Sequence, residues 1–391
     1  MNPEKKLREL YPEVKEVRKK FCPYRVCPIG AHVDHQLGRI TGFAINEGIE
    51  IVYSPTDDGS IDVTSLNFDG NVTFNVVKPP KSREHDWADY LRGAANRLNN
   101  DYNLEKGIKG VLYGSLPIGG LSSSASVTIA FLLALADVNN IELTRPELIK
   151  MAIMVENNFV GISCGKLDPS CEVYAKKDSM LYFDAKDDSF EIIPKPENMK
   201  PFQIAIFFSG VQRTLVGSKF NTRVDELKSA AYSLMAFSGM NYGRFSEAVL
   251  RDVPKEIFEN HKHELPENFR KRAEHYYSEQ DRVIKGRKAF IEGNIEEYGR
   301  LSFESGKSSI VNFEAGSPEL IALYNALSTT DGVYGGRFSG AGFKGCCMAL
   351  VNPEYKDHIV AEVTKKYLKE FPELEDKFSI HFCDISDGVH I

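Results

Sequence analysis

The ten residues from Pro117 to Ser126, PIGGLSSSAS, run straight into the apolar stretch VTIAFLLALADV. A glycine- and serine-rich loop therefore opens a helix that has to be buried. Glycines let a backbone approach a ligand closely. A helix start offers unpaired N–H groups and the positive end of the peptide dipole, which suits a phosphate. Serine hydroxyls add hydrogen bonds or a magnesium ligand. Taken alone, the same residues also fit an ordinary helix capped by serine. Other segments decide between the two.

The 391 residues are enough for two domains or one large one. Their 42% hydrophobic and 26% charged make-up is that of an ordinary soluble protein. A net charge of −7 argues against non-specific nucleic-acid binding, though not against an anionic substrate. The seven cysteines are odd in number and lack CxxC spacing; Cys346 and Cys347 sit in an apolar strand-like run, so buried thiols are expected. MNPEKKLRELYPEVKEVRKK reads as a charged amphipathic helix with no signal-peptide stretch, and no apolar run spans a bilayer. The expected setting is cytoplasmic and reducing, with no membrane partner.

From Arg25 to about Val77, β-branched segments alternate with Gly and Asp turns, the pattern of strands and hairpins. Asp86–Asn99 and Arg145–Phe159 read as helices, GIKGVLYGSL as a strand and Ser179–Ile193 as a hairpin. KPENMKP, near residues 195–201, marks a boundary, giving units 1–200 and 201–391. FQIAIFFSG is then a buried strand, followed by a long charged helical region from about Asn221 to Ala326. A glycine loop between strands and a final helix and strand close the chain. Strands ahead of helices in each half predict an α+β fold with mixed or antiparallel sheets.

Gly340–Gly345, GAGFKG, fits GxGxxG, but a strand (CCMALV) follows where a dinucleotide site needs a helix. The loop of Gly340, Gly342 and Gly345 is better placed beside a phosphate or sugar held by the serine loop. RVCPIGAHVDHQLG brings Arg25, His32, Asp34 and His35 into one loop. His32 and Asp34 suit sugar hydroxyls, and Arg25 suits a phosphate; a solvated polar hairpin is the plainer alternative. In ENNFVGISCGKLDPS, Asp168 follows a glycine turn, and Pro169 biases it away from helix. A carboxylate fixed there can orient or deprotonate a hydroxyl. His261 and His263 read as helix-surface residues rather than metal ligands.

These segments, in this order and over nearly the whole chain, resemble the GHMP kinases and their galactokinase branch. RVCPIGAHVDH is similar to the galactokinase signature, PIGGLSSSAS to the ATP loop, CGKLDPS to the segment bearing the catalytic Asp, and GGRFSGAGFKGCC to the third motif. Within the branch, PYRVCPIGAHVDHQ, HKHEL, KRAEHYYSE and RVIKGRKAF resemble the galacturonokinases of plants. Galactokinases carry Glu at the position of Ala31, where it meets the sugar's C6 hydroxyl. Facing a C6 carboxylate, that Glu would bring like-charge repulsion costing several kcal/mol. His35 in place of Tyr fits the same branch. Pro169 stands where galactokinases have Gln, and Phe220 where both relatives usually have Tyr.

The resemblance implies a two-domain fold with the active site between the domains. It also implies ATP-dependent phosphorylation of an anomeric hydroxyl, with Mg2+, on a galactose-type sugar or sugar acid, by a monomer or homodimer. Asp168 and Arg25 are the implied catalytic pair. Ala31, His32, Asp34, His35 and Phe220 are the implied sugar contacts, with Arg213 or His35 as partner for a substrate carboxylate. Pro117, Gly119, Gly120, Leu121, Ser122, Ser123, Ser124 and Ala125 form the implied ATP loop, Trp87 flanks adenine, and Ser124 and Glu156 hold the metal. Galacturonate is the expected substrate. The alternatives are a galactokinase acting on neutral galactose and a non-catalytic sugar sensor. Such sensors can lose residues from the serine loop, whereas Ser124, Ala125, Arg25 and Asp168 are all present here.

Overall fold

The computed structural model describes residues 2–211 and 219–391. The first sheet contains β1 (Arg18–Val26), β2 (Arg39–Thr56), β3 (Ser60–Ser65), β4 (Asn71–Asn75), β5 (Gly107–Gly114), β6 (Ser179–Asp184) and β7 (Phe190–Pro194). The second contains β8 (Gln203–Phe208), β9 (Val333–Phe338), β10 (Cys346–Val351) and β11 (Ser379–Cys383), and a short β12 (Ile385–Ser386) returns to the first. The helices are α1 (Pro3–Leu10), α2 (Asp89–Tyr102), α3 (Ser123–Val138), α4 (Arg145–Met154), α5 (Leu167–Tyr174), α6 (Phe220–Phe237), α7 (Lys255–His261), α8 (Glu267–Ile291), α9 (Ile295–Val311), α10 (Pro318–Ser328) and α11 (Lys356–Glu370).

The α+β expectation holds, with a mixed sheet and an antiparallel one. The first sheet runs β4-β3-β5-β2-β6-β7, with β1 and β12 also paired to β2. Among the described residues, only the β3–β5 pairing is parallel. β2 is 18 residues long and serves four neighbours: its start pairs with β6, its end with β5, β12 meets it at Ala44 and Ile45, and β1 lies along most of its length. The second sheet runs β11-β8-β10-β9, antiparallel throughout.

Two apolar cores follow. The first surrounds α3, whose Ile129, Phe131, Leu132 and Leu135 are fully buried among β1, β2, β5, α2 and α4. Apolar residues all round that helix match burial all round. The second lies between the antiparallel sheet and α6, α8 and α10. All seven cysteines are free thiols, six of them buried and Cys164 half-buried. No helix among the described residues is long and apolar enough to cross a membrane.

Three local expectations change. The amphipathic N-terminal helix stops at Leu10, because Tyr11 precedes Pro12 and is pushed out of the helical region; Arg18 onwards is strand. The helix expected over 145–159 is α4 followed by a wide π-turn, Val155–Val160, closed by Gly161 at φ +84°. Asp168 lies inside a helix, in the first turn of α5. Pro169 is tolerated there because a first-turn N–H has no helical acceptor to lose.

Candidate active site

Four chain segments converge at one place. Arg25, near the end of β1, is buried, and its Nε and Nη2 lie 2.7 and 2.6 Å from Asp168 Oδ1. Its Nη1 donates to the carbonyl of Gly120 at 3.1 Å, so one guanidinium joins the α5 carboxylate to the serine loop. Burial works against the charge on Arg25, but the Asp168 carboxylate outweighs it and holds the guanidinium above its ordinary value. The two side chains differ in access: 3% of Arg25 and 23% of Asp168 is exposed, so the carboxylate is the member open to a substrate.

Asp34 is buried beside this pair. Its Oδ2 accepts from the Leu167 N–H at 3.0 Å, one residue before Asp168. Burial pushes Asp34 up to about 6, with that N–H pulling the other way. His32 sits in the left-handed region at φ +64°, stacks on Phe313 with ring centres 4.1 Å apart, and has Nε2 3.0 Å from the Gly340 carbonyl. Its Nδ1 is buried and unpartnered among the described residues.

The glycine loop of 340–345 packs against the serine loop, backbone to backbone. A Cβ on Gly345 (φ +103°) would stand 2.6 Å from the Gly119 carbonyl carbon, and one on Gly120 (φ +89°) would meet the Ser339 carbonyl at 2.9 Å. Neither position has room or backbone geometry for a side chain. Gly345→Ala should therefore lower the unfolding free energy by roughly 2 kcal/mol or more and raise KM for ATP. A denaturant midpoint equal to that of the wild type would refute this packing.

At the start of α3, Ser122 adopts φ +62°, and its hydroxyl is buried without a partner among the described residues. The first turn of α3 sets Ser124 near Glu156, which the π-turn presents. The Glu156 carboxyl is buried close to the Ser124 side chain and accepts from the Cys164 thiol at 3.1 Å. Burial raises it to about 7, with the neighbouring Ser124 hydroxyl opposing. A hydroxyl and a carboxylate are the hard oxygen donors that Mg2+ takes alongside phosphate oxygens, so this pair fits the metal. No cluster of three or more His, Cys, Asp or Glu among the described residues forms a metal cage by itself. His261 is at the end of α7, paired with Glu264 at 2.6 Å.

The structure thus brings together Arg25, Asp168, Asp34, His32, Gly119, Gly120, Ser124, Glu156, Gly340 and Gly345. His35 and Phe220 adjoin them, their rings meeting edge to face at 6.0 Å. Ala31 is buried, and its carbonyl lies 3.1 Å from His275 Nε2. Trp87 packs against the first core ahead of α2. Arg213 lies outside the described residues.

Several supporting residues escape a sequence reading. Helix α8 grips the loop of residues 27–38 through His275 and through Glu279, whose carboxylate accepts from the Gly30 N–H at 2.6 Å. Burial pushes Glu279 up, but Arg282 and Arg337 help hold it down to about 2, so it stays charged. Glu172, one turn after Asp168, is fully buried and accepts from the Ser126 hydroxyl at 2.7 Å, bracing α5 against α3. Burial and the Asp168 charge hold it well above the carboxylate range. On sequence, these residues look like any charged position repeating every three or four along a helix.

The GHMP kinases N terminal domain matches residues 89–176 and the GHMP kinases C terminal domain matches residues 287–369. A galacturonokinase of Arabidopsis thaliana is 39% identical, the match covering 96% of this chain and 94% of that one. A galactokinase of Clostridium acetobutylicum is 30% identical over 94% of this chain and 93% of its own. The crystal structure of Lactococcus lactis galactokinase complexed with galactose superposes with a TM-score of 0.90 at 27% identity, covering 99% of this chain and 98% of that one. The Methanococcus jannaschii mevalonate kinase shares the fold, with a TM-score of 0.67 at 19% identity over 96% of this chain and 99% of its own.

Proposed function

The chain belongs to the GHMP kinases, in their galactokinase branch, and on that premise we propose that it phosphorylates the anomeric hydroxyl of D-galacturonate, giving galacturonate 1-phosphate. It is a sugar kinase that takes its phosphoryl group from ATP. Ala31 carries the finer reading. It is a buried methyl group on the sugar loop, at a position where galactokinases carry a carboxylate, so a C6 carboxylate meets no like charge from it. The match to a galacturonokinase over nearly the full length of both chains supports the same substrate.

In this reading the units 1–200 and 201–391 contribute opposite sides of the site. Asp34 and His32 hold ring hydroxyls. Asp168 accepts the hydrogen bond of the C1 hydroxyl and orients its oxygen, and Arg25 stabilises charge on that oxygen and on the transferring phosphoryl group. The N–H groups of Gly119 and Gly120 and the Ser122, Ser123 and Ser124 hydroxyls cradle the phosphates, with Pro117, Leu121 and Ala125 shaping the loop and Trp87 flanking adenine. Ser124 and Glu156 hold Mg2+, which when bound neutralises phosphate charge. Most of the rate enhancement then comes from position and fixed charge.

The test is a panel of galacturonate, glucuronate, galactose and arabinose with ATP and magnesium, with the 1-phosphate product identified. Galacturonate should exceed galactose in kcat/KM by about tenfold or more. A preference for galactose would make the chain a galactokinase. No ADP formation with any sugar would make it a sensor.

A further inference from the structure

We propose that Lys228, with His35, receives the C6 carboxylate of the substrate and so selects an acidic sugar. This rests on the galacturonate reading and adds to the loss of charge at Ala31 a cation that rewards the acid.

His35 occupies a short 3-10 turn, Asp34–Gln36, packed against α6. Both of its ring nitrogens are shielded from solvent and have no hydrogen-bond partner among the described residues. A buried polar pair left in that state costs stability unless a ligand supplies the partner. Lys228 lies on α6 two turns beyond Phe220 and is half-buried; among the described residues no carboxylate lies within ion-pairing distance of its ammonium. Helical side chains lean towards the N-terminus, which carries this ammonium back towards the Phe220 ring and the His35 edge beside it.

The two basic groups sense each other. Burial, His275 and the Lys228 charge together hold His35 down to about 3, so the free imidazole is neutral, with one N–H to give. An arriving carboxylate accepts that N–H and supplies the counter-charge that Lys228 lacks. The two buried acids beside the loop do not compete for this role. Asp34 is anchored on the Leu167 N–H, and Glu279 is engaged by Gly30 and Arg282. Galactose brings only a hydroxyl to the same place and leaves the lysine unpaired.

The experiment compares galacturonate with its neutral methyl ester in the full-length protein. In the wild type the acid should exceed the ester in kcat/KM. In Lys228→Met, and in Lys228→Gln as a second neutral variant, the acid-to-ester ratio should fall by about tenfold or more, while Lys228→Arg keeps most of it. A merely structural role would slow both substrates together, and an unchanged ratio in a folded neutral variant overturns the assignment. A wild type that prefers galactose over galacturonate overturns the galacturonate reading itself, and the Lys228 assignment with it. Circular dichroism melts establish that each variant is folded.

Discussion

Asp168→Asn should lower kcat by ~100-fold or more while leaving a folded protein. The carboxylate is the one member of the Arg25–Asp168 pair that a sugar can reach, since Arg25 is almost wholly enclosed. On the proposed mechanism, removing its charge takes away the acceptor for the C1 hydroxyl at the point where charge develops. The asparagine variant is preferred to alanine because Arg25 would otherwise be left as an uncompensated buried cation, a loss that typically costs 3–5 kcal/mol. The amide keeps an oxygen for Arg25 Nε and Nη2. Asp168→Ala should therefore lose activity and melt earlier, whereas Asp168→Asn should mainly lose activity. Turnover within threefold of the wild type in a folded Asp168→Asn protein would remove Asp168 from the chemistry.

The site was legible in the sequence where local chemistry forces structure. A loop of glycines and serines running into twelve mostly apolar residues leaves the chain little choice but a buried helix behind that loop, and α3 is that helix. GAGFKG ahead of an all-apolar strand could be assigned to a loop between strands, and β9 and β10 flank it. What stayed hidden depends on contacts distant in sequence. Glu156 is delivered to Ser124 by a π-turn, a one-residue irregularity that leaves no periodic trace. His275 and Glu279 reach the sugar loop from some 240 residues away, and only the packing of α8 reveals it. Asp168 was expected outside a helix because Pro169 follows it; the rule about proline gives way at a first turn.

Ala31→Glu should reverse the substrate preference. The loop that carries it is fixed from behind: His275 holds the Ala31 carbonyl, Glu279 the Gly30 N–H, and the Thr41 hydroxyl the Ile29 carbonyl at 2.7 Å. A glutamate introduced there enters at a set place instead of being carried away by a loose loop. Unit charges of like sign about 4 Å apart repel by about 4 kcal/mol at an effective dielectric of about 20. The galacturonate-to-galactose ratio of kcat/KM should then fall on the order of 100- to 1,000-fold, because the acid is repelled while galactose gains an acceptor for its C6 hydroxyl. Overpacking is the competing effect, since the methyl group is 4% exposed within the second core, and it would cost both sugars alike. The ratio separates the two: repulsion moves it and crowding does not. Ala31→Gln adds nearly the same volume without the charge, so it should leave the ratio well above that of the glutamate variant. Equal ratios in the glutamate variant and the wild type would show that charge at this position does not choose the sugar.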